Sequence, residues 1–396
     1  MPITPLSITA YTLSNALGRG IQDQVVALKS AQSGLRSCDL ESVDLQTWIG
    51  RVDGLEQVEL PVSHQDYDCR NNRLAYLALQ QDDFLSSLQQ AIARYGADRI
   101  GVFIGTSTSG IATTEAAYQR HTGSAALVKD FSISKTHNIF SAVAFVRSLL
   151  GLQGPALAIS TACSSSAKVF ASAHRYIETG LCDAALVGGV DSLCLTTLYG
   201  FNSLDLISDQ PCRPWDRSRN GINIGEAAGF ALLERGADSS GTPQLLGYGE
   251  SSDAYHMSTP HPEGAGAVLA MQQALTSAGL TPEQIDYINL HGTATRSNDM
   301  AEDRAVTSLF GRTTACSSTK GFTGHTLGAA GITEAIFCLL ALREGFLPQT
   351  LQCEAVDPEL ESAVLLQPKL VNVKRVLSNS FGFGGNNCSL LLGAGT

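Results

Sequence analysis

Short apolar runs alternate along most of the chain with longer segments whose apolar residues return at helical spacing. Arg99 to Gly105, Ala156 to Ser160 and Ala184 to Gly189 are brief apolar stretches that predict strands buried on both faces. Helical patterns fill the intervals, notably Asp83 to Tyr95 and Ile139 to Gly151. From Ser165 to Gly180, Val169, Phe170, Ala173, Tyr176 and Ile177 follow the i, i+1, i+4, i+7, i+8 spacing of one buried face. This alternation predicts the α/β class, with sheets covered by helices.

Loop formers (Gly236, Ser239, Ser240, Gly241 and Pro243) interrupt the pattern between Arg235 and Pro243 and divide the chain into residues 1–243 and 244–396. The second part restarts with a strand at Gln244 to Gly249, a helix at Gly264 to Gly279 and a strand at Ile285 to His291. Its helix from Gly328 to Glu344 is apolar on nearly every side, which predicts burial on several sides. No repeat between the two parts is visible in the residues themselves.

With 396 residues, 44% hydrophobic and only 16% charged, the chain must bury a large core, with a buried subunit interface as a further outlet. A net charge of −11 excludes the broad basic face of a nucleic-acid binder but leaves room for a local basic patch. The cysteines, spread from Cys38 to Cys388, form no C-x-x-C pair and no secreted disulfide framework, which argues against a zinc site. Cys182, Cys194, Cys338 and Cys388 lie in apolar runs, as core. Met1 to Gly20 show no signal-peptide pattern, and no run approaches the ~18 apolar residues of a membrane span. A cytoplasmic, reducing setting is expected.

Three segments carry candidate chemistry. Thr161 to Ser166 (TACSSS) sets Cys163 between a strand and a helix start, where unpaired N–H groups and the helix dipole favour a thiolate. Cys163 is therefore a candidate nucleophile for thioester chemistry, the alternative being a small buried hydrophobe. Asn289 to Thr295 (NLHGTAT) and Ser317 to His325 (SSTKGFTGH) put His291 and His325 in loops of small residues that a ligand can approach. Lys320 lies in the second of these loops, an unusual place for a cation.

Further segments follow in a fixed order: VGGVDS at Val187 to Ser192, CRPWD at Cys212 to Asp216, and Asp299 and Glu302 after the first histidine. TKGFTGHTLGAAG at Thr319 to Gly331 and NSFGFGGNN at Asn379 to Asn387 complete the series. In this combination the chain resembles the β-ketoacyl synthases, the condensing enzymes of the thiolase superfamily, and is most similar to the elongating synthases of the dissociated bacterial system. Tyr67 to Arg73 (YDCRNNR) is similar to synthases from aryl polyene clusters. The resemblance implies a thiolase-like fold of two similar α/β halves packed as a layered αβαβα core. It also implies decarboxylative condensation of malonyl-ACP with an acyl chain held on Cys163, in fatty-acid or polyene/polyketide elongation.

Within that resemblance Cys163, His291 and His325 form the triad, the histidines stabilising the enolate that decarboxylation creates. Lys320 supports them, with Glu302 behind it as the carboxylate a buried lysine needs. Phe383, on the turn of Gly382, Gly384 and Gly385, joins Cys163 in donating backbone N–H groups to an oxyanion. Phe383 and Phe201 line the acyl entrance. Thr293 and Thr295 hold the phosphopantetheine arm, or are ordinary capping threonines. Asn289, Glu334, Ser378 and Asn379 match positions that gather oxygens around a monovalent cation in some relatives, and a hydrogen-bonded polar cluster explains them equally well. No other cofactor is implied, because phosphopantetheine travels on the acyl carrier protein. That partner is acidic, and Arg70, Arg73, Lys129, Lys135 and Arg213 are candidates to meet it.

The chain departs from the family pattern at Arg296, where proline is common, and at Arg219-Asn220-Gly221-Ile222 in place of R-D-G-F. It has Asn386 in place of threonine, and polar Thr108 and Ser109 where the acyl pocket should end. None of these touches the triad; they bear on acyl-chain preference and on a role in membrane-lipid synthesis. The resemblance implies a homodimer, or a heterodimer with a chain-length-factor-like homologue. The chain itself could instead be such a silent subunit, a reading opposed by its retention of Cys163, His291 and His325. A thiolase would carry a second cysteine in place of the second histidine, and neither late motif contains one.

Overall fold

The strands of the computed structural model form one sheet arrangement built twice. The structure describes residues 2–41, 43–121, 131–236 and 241–395. The first half contains β1 (Leu6–Asn15), β2 (Ile100–Gly105), β3 (Ala156–Ile159), β4 (Ala184–Asp191) and β5 (Ala227–Glu234), in the order β1-β5-β4-β2-β3. Here β2 runs parallel to β3 and β4, and β5 runs antiparallel to β4 and β1. The second half contains β6 (Gln244–Ser252), β7 (Tyr287–Asn289), β8 (Ala315–Ser317), β9 (Arg375–Gly382) and β10 (Asn386–Gly393), in the order β6-β10-β9-β7-β8. The pairing senses repeat: β7 is parallel to β8 and β9, and β10 is antiparallel to β9 and β6. Leu6 and Ser7 pair with Leu245 and Gln244, joining the two sheets along one edge. The duplication lies in chain path, which different residues can trace equally well.

Helices α1 (Arg70–Leu79), α2 (Ser141–Leu149), α3 (Ser165–Glu178), α4 (Ala265–Ala278), α5 (Arg296–Phe310) and α6 (Ala330–Glu344) complete the layers. Side chains alternate along each strand, so each sheet serves a core on either face. Phe103 and Val187 enter the central core with Val169, Phe170 and Ile177 of α3 and Ile332 and Ile336 of α6. Val102, Ile104 and Leu186 point the other way, onto Leu74 of α1 and Phe145 of α2. In the second half Leu390 and Leu392 face the centre, while Leu391 packs with Met271 of α4 and Val306 of α5. The result is the five-layered αβαβα arrangement. A Cβ on Gly331 would lie 2.4 Å from the Ala167 nitrogen, so glycine lets α3 and α6 approach backbone to backbone.

The expected elements hold, with shifted ends. The strand expected to stop at Gly189 continues to Asp191, and that expected over Ile285 to His291 shortens to Tyr287–Asn289 as the chain leaves the sheet. α6 is buried from Ala330 to Leu342, as its apolar surface implies, and starts after a turn at Leu327–Ala329. Cys182, Cys194, Cys338 and Cys388 are buried. Residues 237–240 of the dividing loop, with Ser239 and Ser240, lie outside the described residues. Among the described residues no helix is long and apolar enough to cross a membrane.

Candidate active site

The candidate nucleophile Cys163 sits where β3 turns into α3. Ala162 makes that turn with φ +53°, a left-handed conformation that costs a non-glycine residue about 1 kcal/mol or more. The Thr161 N–H donates to Ser165 Oγ and the Ser164 hydroxyl donates to the Thr161 carbonyl, both at 2.9 Å, holding the turn closed. Cys163 is left 6% exposed at the head of α3.

The second half meets it from across the central layer. His291 follows β7, and His325 follows the loop after β8. His325 Nε2 lies 3.0 Å from Cys163 Sγ, and the two imidazole rings stand edge to face with centroids 5.3 Å apart. The Leu327 N–H donates to His325 Nδ1 at 3.2 Å, and Lys320 Nζ lies 3.4 Å from His291 Nδ1. Each Nδ1 therefore faces a donor, which leaves the proton of the neutral ring on Nε2. Burial, reinforced by the charge of Lys320, holds both histidines well below the usual imidazole range, so both are neutral. Sulfur and ring nitrogens lie within 4.8 Å of one another, the spacing of a metal set. Protonated Nε2 atoms and the nearby lysine charge oppose a cation there.

Burial also pushes the Cys163 thiol up to about 11, against the opposing pull of Lys320 and the Phe383 N–H. The thiolate expected from the helix terminus is thus offset by desolvation. A helix end contributes at most about 2 kcal/mol, so at this buried position the sulfur is a thiol.

Lys320 corrects the expected pairing. Its ammonium bonds Glu334 Oε1 and the His291 carbonyl, and not Glu302. The first turns of α6 bring Glu334 to the lysine. Glu302, on α5, accepts the N–H groups of His291 and Gly292 at 2.8 Å each, so it shapes the histidine loop directly. Burial pushes both glutamates up to about 7, opposed by Lys320 for Glu334 and by the two backbone N–H groups for Glu302.

The cavity over the triad holds about 50 Å³, too little for an acyl chain without opening. Phe201 and Phe383 form part of its wall, with ring centroids 5.4 Å apart. Thr293 and Thr295 also line it, their hydroxyls 2.9 Å apart, and Thr295 caps α5 by accepting the Asn298 N–H. The structure therefore gives Thr295 a capping role as well as a place on the cavity. The remaining wall was not foreseen. Asp253 and Ser258 to Pro260 border the cavity, and the Asp253 carboxylate accepts from Asn387 at 2.7 Å. The Gly384 N–H donates to the Met257 carbonyl at 2.7 Å, tying this segment to the glycine-rich turn. Only that turn carried a signal in the sequence.

Residues 9–239 match the β-ketoacyl synthase N-terminal domain and residues 243–354 its C-terminal domain. The chain belongs to the β-ketoacyl synthase family. This synthase is 33% identical to 3-oxoacyl-[acyl-carrier-protein] synthase 2 of Vibrio cholerae over 97% of both chains. Among solved structures it is similar to the ketosynthase ApeO, in complex with its chain length factor ApeC, from Xenorhabdus doucetiae. Identity there is 41%, TM-score 0.89, with 99% of this chain and 98% of that one covered. A β-ketoacyl synthase from Burkholderia phymatum is 27% identical, with TM-score 0.88 over 99% and 100% of the two chains. The chain is an acyltransferase of this family with the thiolase-like fold.

Two groups of expected residues each lose one member in this synthase. Arg70 bonds fully buried Glu226 through two nitrogens, at 2.8 and 2.5 Å, and also Glu56, so its guanidinium braces the fold and is not free for docking. Arg73 is paired with Asp68, Lys135 lies 4.1 Å over the Tyr67 ring, and Arg213 is half-buried beside Ser218. Lys129 lies outside the described residues. In the proposed cation cluster, Asn289 (both amide atoms), Glu334 Oε2 and Ser378 Oγ are buried with no hydrogen-bond partner among the described residues. Asn289 and Ser378 are neighbours in the β7–β9 register. The Asn379 amide is already occupied, by Glu302 at 3.2 Å and Ser389 at 2.8 Å, so its side chain does not belong to that set.

Proposed function

We propose that Cys163 takes an acyl chain from acyl carrier protein and that His291 and His325 drive decarboxylation of a malonyl thioester on the same cavity. The contact of 3.0 Å between Cys163 Sγ and His325 Nε2, with His291 beside it, carries this reading. In the first half-reaction Cys163 sulfur attacks the acyl thioester and the carrier thiol leaves with the proton. His325 Nε2–H lies toward the sulfur, so it does not take the thiol's proton; it stabilises the negative charge that develops on sulfur as that proton passes to the departing carrier thiol. The Cys163 and Phe383 N–H groups serve the tetrahedral oxyanion.

In the second half-reaction the Nε2–H groups of both histidines meet the malonyl thioester oxygen. They stabilise the enolate as carbon dioxide leaves, in a dry pocket where such donors act most strongly. The enolate carbon then attacks the acyl thioester and Cys163 leaves as thiolate. Lys320 acts through His291 Nδ1, and Glu302 through the loop. Thr293 and Thr295 border the pantetheine path, while Phe201 and Phe383 must separate to admit the chain.

Intact masses of the chain after exposure to acyl-loaded carrier proteins test the proposal. One acyl adduct, absent in Cys163→Ala, is expected. No adduct from any acyl carrier, with the chain folded, would overturn it.

The similarity to a ketosynthase solved with its chain length factor supports a heterodimer with such a homologue. The half-buried end strand β3 and exposed Ile133, Ile139 and Phe140 supply an apolar surface for it. Docking of the acidic carrier falls to Arg73, Lys129, Lys135 and Arg213, without Arg70. The unpartnered oxygens of Asn289, Glu334 and Ser378 fit a hard monovalent cation with a structural role. Division at 243/244 is retained as part of this reading, close to where one family match ends at 239 and the next begins at 243. The free cysteines favour a cytoplasmic, reducing setting.

A further inference from the structure

Asp191 ends β4, is fully buried, and among the described residues pairs with no cation. Its carboxylate is held instead by donors from two loops. From the loop after β2, Thr106 Oγ1, Thr108 N–H and Thr108 Oγ1 reach Oδ1 at 2.7, 2.9 and 2.8 Å. The Ser107 N–H lies 2.8 and 3.0 Å from the two oxygens, and its hydroxyl donates to Oδ2. From the loop after His325, the Gly328 N–H reaches Oδ2 at 2.5 Å. A Cβ on Gly328 would lie 2.8 Å from the Ser107 nitrogen, so the two loops are in direct contact through the carboxylate.

This tie bears on the imidazole. Leu327, immediately before Gly328, has φ +54°, a left-handed conformation that a leucine holds only under restraint. In that conformation its N–H faces His325 Nδ1 at 3.2 Å. Its side chain is anchored among Leu193, Leu198 and Ile222, and its other end by the Gly328 bond to Asp191. The charge of Asp191 works against a thiolate at Cys163, so activation of the nucleophile does not account for it.

We propose that Asp191 is a positioning residue for the condensation: its carboxylate holds Leu327 in the conformation that presents an N–H to His325 Nδ1, and so fixes Nε2–H toward Cys163. This rests on the reading of Cys163 and His325 as catalytic. Asp191→Asn would turn an amide NH₂ toward N–H donors and loosen the clamp, although the side-chain shape is nearly the same. Thr108→Val removes one hydroxyl donor and loosens it less.

The test is to label both variants and the parent with 15N-histidine, and to measure tautomer, melting temperature and steady-state decarboxylation of malonyl carrier protein. In Asp191→Asn, kcat is expected to fall about 10- to 100-fold with KM within about twofold. The His325 resonances should show a second tautomer. Thr108→Val should change both in the same direction by about two- to threefold. A fall in kcat with the His325 tautomer unchanged would make Asp191 merely structural and overturn the inference, as would an unchanged kcat. If Asp191→Asn does not fold, Thr108→Val decides by the same criteria. A Cys163→Ala control read by condensation of an acyl carrier protein with malonyl carrier protein separates the two readings, because full condensation there would sink the functional proposal, whereas failure at Asp191 leaves that proposal standing.

Discussion

The two halves trace the same strand order but load equivalent loops differently. In the first half the loop after β3 carries Cys163, and the loop after β2 offers the hydroxyls of Thr106, Ser107 and Thr108, turned to Asp191. In the second half the loops after β7 and β8 carry His291 and His325, backed by Glu302, Lys320 and Glu334. The duplicated fold brings the ends of parallel strands and the starts of α3 and α6 together twice. On the proposed reading, residue type then assigns the nucleophile to one half and hydrogen-bond donation to the enolate to the other. Buried charge is costly, and here it lies where it orients a donor or closes a loop.

The comparison breaks most sharply at the histidines. His291→Ala and His325→Ala should each lower malonyl decarboxylation by at least about 100-fold, read as carbon dioxide release. Alkylation of Cys163 by iodoacetamide should persist, since the first half keeps its nucleophile. Loss of alkylation in both variants would mean that the halves do not divide the chemistry in this way.

Lys320→Met strands the Glu334 carboxylate, and at about pH 8 it should destabilise the chain by about 3–5 kcal/mol in urea unfolding. Adding Glu334→Gln should restore most of that loss. A single variant as stable as the parent would show that the pair contributes little.

Glu302 and Glu334 hold protons more readily in the folded chain than in the unfolded one. Stability from this source is therefore present at acidic pH and lost as pH rises from the ordinary carboxyl range through about 7. Glu302→Gln should flatten that decline in urea midpoints compared across the range. An unchanged slope would place the titration elsewhere. The smallest effect is expected for Thr295→Ala, which removes the cap of α5 and should cost about 1 kcal/mol in thermal unfolding.

Much of the site was legible because its residues stand in short local motifs. Cys163, His291, His325, Lys320 and Phe383 each sit in a loop of small residues next to a recognisable element, and the structure brings them to one cavity or directly behind it. The pairings behind them were not legible. Glu302 and Glu334 look alike in sequence, and only the approach of α6 to the Lys320 loop decides which one meets the ammonium. Arg70 has the look of a surface cation, yet Glu226, far along the chain, claims it. Asp253 and Ser258 to Pro260 reach the cavity by backbone contacts with the glycine-rich turn, which no residue pattern announces.

The sequence by itself determined the α/β class, most element positions, the family and which three residues to propose as the triad, because periodicity and local motifs are written in neighbouring residues. Tertiary structure alone decided the strand order within each half, how far burial opposes a thiolate at Cys163, the tautomers of both histidines and the partners of Lys320, Glu302 and Arg70. Those properties depend on which groups meet across the central layer, and on how much water that meeting excludes.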